Sequence, residues 1–291
     1  VITGATDGIG RAAAAQCVAL GAHTVLVGRN AAKTEGVARA LQAVAAAPVS
    51  WEVADLSRRD AVTALAERLR ARHPAIQVLV NNAGALFLER ETTPDGVERT
   101  LALNHLAYVQ LTLALLDPLL AAARPGAPAR VLCVASRAHE NARVDMDDLS
   151  LARGYGGWRA YANSKLCNIW FAQGLGQRLD PSLVVAHSLH PGVVRTRFAE
   201  NNGRLGRLLR RIMDLVSVTP EAGADTLTWL ASAPDALQGS GSYWVRRRRT
   251  TPSRAARDAA LAARCWAATD TLLQLDADAL LRDALARYRA R

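Results

Sequence analysis

Apolar positions along the 291 residues fall into two rhythms. Short, nearly continuous apolar runs recur at His23 to Gly28, Val49 to Val53, Ile76 to Val80, Arg130 to Ala135 and Leu183 to Leu189. Runs of that length and density read as strands buried on both faces, as in a parallel sheet. Between them, apolar residues three and four apart predict helices over Ala31 to Ala46, Arg59 to Arg72, Leu101 to Leu120 and Trp158 to Leu179. Strand and helix alternate without a hairpin signal, so the pattern predicts an α/β fold with right-handed crossovers and helices on both faces of one sheet. Residues 1–275 read as one domain, with no repeat or low-complexity linker. Residues 276–291 read as a C-terminal extension, either a further helix through Leu280, Leu281, Leu285 and Tyr288 or a frayed tail.

Composition narrows this picture. Half the residues are hydrophobic, enough for a sizeable core in one large domain. The four cysteines, Cys17, Cys133, Cys167 and Cys265, show no Cys-x-x-Cys, and the six histidines no ligand spacing. No metal site is therefore expected, and reduced thiols fit a cytoplasmic location. The net charge of +10 comes almost entirely from arginine, without a nucleic-acid recognition motif. Two arginine runs, Arg204 to Arg211 and Arg246 to Arg249, read as solvated faces, with acidic lipid as the lesser alternative for a partner. The chain opens at Val1 in what reads as mid-strand, so an anchor upstream stays open. Leu101 to Ala123 is apolar but carries Asn104, His105, Gln110, Asp117 and Pro118, which argues for a buried helix rather than a membrane span.

Candidate chemistry gathers at strand ends. Val1-Ile2 leads into Thr3-Gly4-Ala5-Thr6-Asp7-Gly8-Ile9-Gly10 and then a helical run, the arrangement that cradles a dinucleotide pyrophosphate at a helix N-terminus. The glycine spacing is one residue longer in its first gap than the usual fingerprint. The resulting fold class is a single doubly wound Rossmann-type parallel sheet. Arg29, followed by Asn30, ends the next strand where NAD sites carry an acid, which favours NADP(H), with NAD(H) as the alternative. Asp55, next to Leu56, is placed to meet the adenine amino group. Small residues at Asn81-Asn82-Ala83-Gly84 would let a ribose lie on backbone. Tyr161 and Lys165, four apart, share a helix face, and a nearby ammonium is expected to lower the phenol pKa by ~1–3 units from ~10.

Together, Thr3-Gly-x-x-x-Gly-x-Gly10, Asn81-Asn-Ala-Gly84, Asn104, Ser136, Tyr161-x-x-x-Lys165 and Pro191-Gly192 resemble the short-chain dehydrogenases/reductases over residues 1 to about 250. Asn104-His105-Leu106, Ser164 to Asn168, His190 to Thr196 and the segment Tyr243 to Leu275 are most similar to the retinol dehydrogenase-like branch, which includes the WW-domain oxidoreductases. The resemblance implies an acid/base role for Tyr161, a substrate-oxygen hydrogen bond from Ser136, a nicotinamide-ribose contact from Lys165 and a water positioned by Asn104. It also implies carboxamide contacts from Val194 and Thr196, and a homodimer or homotetramer built on the helices carrying Asn104 and Tyr161. The sequence departs from many relatives in having Ala135 before Ser136 and 25 residues from Ser136 to Tyr161.

Pocket walls are expected from His139, Tyr155 and Trp158, and from a lid at about 197–219 that includes Phe198, Leu209 and Met213. The substrate is then an apolar carbonyl compound or alcohol. The competing reading is a non-catalytic NADP(H)-binding regulatory protein on the same fold.

Overall fold

The computed structural model describes residues 1–192 and 219–290. Eight strands form one sheet in the order β3-β2-β1-β4-β5-β6-β7-β8. They are β1 (Ile2–Thr3), β2 (Thr24–Gly28), β3 (Val49–Val53), β4 (Val78–Asn81), β5 (Ala129–Val134), β6 (Val184–His190), β7 (Tyr243–Val245) and β8 (Arg248–Arg249). All neighbours pair in parallel except β7 and β8, a C-terminal hairpin. Strand order reverses between β1 and β4, so the connections leave on opposite faces there and open a crevice at the strands' carboxyl ends.

On one face lie α1 (Gly8–Ala19), α2 (Ala31–Gln42) and α7 (Pro220–Ser232); on the other lie α3 (Arg59–Arg72), α4 (Arg99–Ala114), α5 (Leu116–Ala122) and α6 (Gly157–Arg178). Each face has its own core cluster, and the strands alternate between them: Val25 and Val27 face one, Leu26 the other. Caps fix the helix starts. Asn30 Oδ1 accepts from Lys33 N, and the buried Glu98 carboxylate accepts from Thr100 N and Leu101 N at the start of α4.

Two expectations change here. The apolar helix predicted from Leu101 to Leu120 is a pair bent by 60°. Pro118 has no N–H to return to the Ala114 carbonyl, so the chain breaks at Leu115. No single helix among the described residues is long and apolar enough to cross a membrane; this bent pair is so by length and composition, and its apolar side chains are core.

The C-terminal extension is folded, not frayed. Helices α8 (Ala259–Leu273) and α9 (Ala277–Arg289) lie across α6, α4 and α5. Ala277, Leu281 and Ala284 join the main core, Arg178 ion-pairs with Asp278 at 2.6 Å, and Arg287 with Asp117 at 3.1 Å. Apolar spacing gave α9 its buried stripe, and Asp276 caps it by accepting from Ala279 N. These helices pack on α4, α5 and α6.

Candidate active site

The crevice is a cleft of about 530 Å³ that runs from the glycine-rich turn to Tyr161. At one end the turn Gly4 to Gly10 delivers the chain into α1, whose first-turn amides face the opening. Gly4 has φ +65°, and a Cβ at Gly10 would stand 2.3 Å from the Gly4 carbonyl oxygen, so only glycine closes this turn. Thr6, Asp7, Gly8 and Ile9 line the same wall, Arg29, Asp55 and Leu56 its far end, and Asn82, Ala83 and Gly84 its floor. An elongated dinucleotide with its pyrophosphate at the turn fits this cradle.

Ser136, Trp158, Tyr161, Lys165, Pro191 and Gly192 form the opposite end. Ser136 stands two residues beyond β5 and caps a 3-10 turn, Arg137–Asn141. Its hydroxyl is near enough to the Tyr161 phenol to favour the phenol's ionised form. Lys165, one helical turn on from Tyr161, lies with Nζ 5.6 Å from the Tyr161 ring centre and donates to Val134 O at 2.9 Å. Trp158, 46 % exposed, meets the Tyr161 ring edge-on at 6.3 Å.

The expected lowering of the phenol pKa is not what this geometry gives. Burial raises Tyr161 above its ordinary value, opposed by the nearby Ser136 hydroxyl. The same burial brings the Lys165 ammonium down to about 8. The ammonium points to a carbonyl, and desolvation outweighs its pull on the phenol.

Several expected site residues stand behind the cleft instead of lining it. Thr3 is buried, with Oγ1 accepting from Asn82 N and Ala83 N and donating to Val80 O, so it ties β1 to the floor. Asn30 is the α2 cap. Asn104 sits in a π turn, Ala102–Leu106, where its side chain holds both backbone groups of Ala85 at 2.9 Å and reaches Ser164 Oγ. Its carbonyl accepts from Asn168 Nδ2 at 2.8 Å.

Among the described residues, His139 and Tyr155 do not line the cleft. His139 Nδ1 donates to Ser136 O at 2.7 Å while Nε2 accepts from Ser253 N, so the ring braces Ser136 against the C-terminal segment. Tyr155 donates to Phe87 O at 2.8 Å and anchors the loop after β4. Both side chains turn away because backbone acceptors lie on the inner side. Val194, Thr196, Phe198, Leu209, Met213 and the proposed lid lie outside the described residues.

Two residues of the site were missed. Asn168 bridges Asn104 O and Val134 O, and could have been found three positions after Lys165 on the same helix face. Arg99 lines the cleft over the Phe87 ring at 4.5 Å; nothing in its sequence context marked it.

The family model of the short chain dehydrogenases matches residues 1–204. The chain belongs to that family, and within it to the retinol dehydrogenase-like branch. Retinol dehydrogenase 13 of Homo sapiens is 32% identical over 294 residues, covering 99% of this chain and 88% of that protein. A Streptomyces sp. (strain C5) protein, whose name proposes a daunorubicin C-13 ketoreductase, is 38% identical over 270 residues, 92% of this chain and 90% of its own. Polyprenol dehydrogenase of Mus musculus is 36% identical over 272 residues, 92% and 81% of the two chains. Among solved structures, a protein from Mycobacterium paratuberculosis has a TM-score of 0.75 at 28% identity, covering 94% of this chain and 92% of that one. A structure with bound NADP from Beutenbergia cavernae has 0.66 at 26% identity, covering 83% and 92%. The chain is an NAD(P)-dependent oxidoreductase acting on alcohol and carbonyl groups.

Proposed function

We propose that this enzyme exchanges a hydride between NADP(H) and the carbonyl or carbinol carbon of an apolar small molecule, with Tyr161 as the acid/base. The observation that carries the reading is the meeting of Tyr161, Ser136 and Lys165 at one end of the cleft that holds the glycine-rich turn at the other. The turn, Asn82 to Gly84 and Lys165 would hold the coenzyme, which supplies the hydride when bound. Arg29 at the adenosine end supports the 2′-phosphate form.

In the reducing direction Tyr161, kept protonated by its burial, donates its proton to the substrate oxygen. Ser136 hydrogen-bonds the same oxygen as charge develops on it. The Lys165 ammonium offsets the phenolate left behind. Asn104 and Asn168 keep Ala85, Val134 and Lys165 in register.

Trp158 is the pocket wall that supports an apolar substrate. The relatives are named for retinol, polyprenol and daunorubicin, each as a substrate of an alcohol or ketone oxidoreductase. Four thiols outside any disulfide support a reducing, cytoplasmic setting. The test is Tyr161→Phe, assayed on a ketone and aldehyde panel with NADPH. Turnover should be lost while NADPH titrates with unchanged affinity; turnover retained in that variant would refute the assignment.

A further inference from the structure

Behind the catalytic helix, three side chains that the chemistry above does not use converge from three helices. His105 in the π turn of α4, Cys167 in α6 and Cys265 in α8 are buried, and their ligand-type atoms all lie within 4.8 Å of one another. They border a void of about 10 Å³, which Thr269 and Asp270 also line. Asp270 Oδ1 is buried there without a hydrogen-bond partner among the described residues.

The surrounding hydrogen bonds decide which histidine nitrogen faces the sulfurs. Asn168 uses its amide N–H groups on Asn104 O and Val134 O, so its Oδ1 is the acceptor 3.1 Å from His105 Nδ1. Nδ1 therefore carries the proton, and Nε2 is the acceptor, taking a hydrogen bond from Thr269 Oγ1 at 3.0 Å that an incoming cation would displace. Cys265 Sγ lies within 4.8 Å of both His105 and Cys167 Sγ. A ring fixed through its far nitrogen by an outer oxygen is the arrangement metal-bound histidines use.

We propose that His105 Nε2, Cys167 Sγ and Cys265 Sγ form a binding site for a thiophilic divalent cation, zinc in the cell. Zinc bonds of ~2.3 Å to sulfur and ~2.1 Å to nitrogen set tetrahedral ligand atoms roughly 3.6–3.8 Å apart, so the present spacing closes with about an ångström of side-chain movement. Binding releases two thiol protons to solvent, and two thiolates then balance the ion's charge, as a site away from water requires. The ion would pin α4, α6 and α8 together directly behind Asn104, Lys165 and Asn168. Its role is a clamp on the back of the site, not a part of the hydride step.

The experiment uses the full chain, without an affinity tag, produced in zinc-supplemented medium and purified with a non-chelating reductant. Elemental analysis should find one zinc per chain, and cobalt exchange should give a thiolate-to-cobalt charge-transfer band. Cys265→Ala, remote from the cleft, should lose both while keeping NADPH affinity. If that variant does not fold, chelation of the native chain should abolish the cobalt band and lower the thermal midpoint. The proposal is overturned if the native chain takes up neither ion in stoichiometric amount. It is equally overturned if Cys265→Ala keeps the metal, or if mass spectrometry finds Cys167 and Cys265 joined as a disulfide under reducing conditions.

Discussion

Replacing Lys165 with methionine should abolish turnover and, at the same time, make the coenzyme-free protein more stable. The ammonium is buried, and its one hydrogen bond described is to Val134 O at 2.9 Å. Desolvation brings its pKa from 10.5 to about 8, with a small opposing effect from Cys133. At ~1.36 kcal/mol per pKa unit, holding that charge costs the native state roughly 3 kcal/mol at neutral pH. Methionine fills similar space without a charge. Val134 O keeps a second donor in Asn168 Nδ2 at 3.3 Å, so the lost hydrogen bond costs about 1 kcal/mol. The net gain is about 2 kcal/mol at pH 7.

The pH dependence gives this prediction its sign. The folded pKa lies below the unfolded one, so the native state carries the full cost below pH 8. Above pH 8 the unfolded chain holds a proton that the native chain has released, and native stability rises with pH until about 10.5. Urea unfolding of both proteins at pH 7 and about pH 9.5 measures the difference, and the variant's advantage should shrink by more than half at the higher pH. A variant less stable than wild type at pH 7, or a difference indifferent to pH, would refute the view of Lys165 as a desolvated cation held in place for function.

Arg29→Asp should lower kcat/KM for NADPH by roughly 10- to 100-fold, the loss of one charge-assisted contact, while NADH improves; steady-state kinetics with both coenzymes decide it. An unchanged ratio would move the 2′-phosphate elsewhere. Alcohol oxidation needs the phenolate, and burial raises the Tyr161 pKa, so the oxidation rate should keep climbing from pH 7 to 10. Ketone reduction uses the protonated phenol and should hold until Lys165 loses its proton near pH 8. A bell-shaped oxidation profile centred near neutrality would contradict this.

Much of the fold was legible because its signals are local. Val49–Val53 and Arg59–Arg72 have the bounds that apolar spacing predicted, and the glycine-rich turn announced itself by a steric need that no other residue meets. The bend at Leu115 was legible in principle, since Pro118 marks it. Tyr161 and Lys165 were paired correctly by helical spacing, yet the direction of the phenol's pKa was not, because desolvation depends on everything packed around it.

The sequence by itself determined the alternation of strand and helix, the glycine-rich turn into α1, and the residues proposed to carry proton transfer at the strand ends. Tertiary structure decided where long-range partners fall. It turned His139 and Tyr155 from pocket walls into braces, folded residues 276–290 back over α5 and α6, and gathered His105, Cys167 and Cys265 from positions up to 160 residues apart. Spacing along a chain reports which side chains share a face. Only packing between faces reports which of them lose water, find a backbone acceptor, or meet one another.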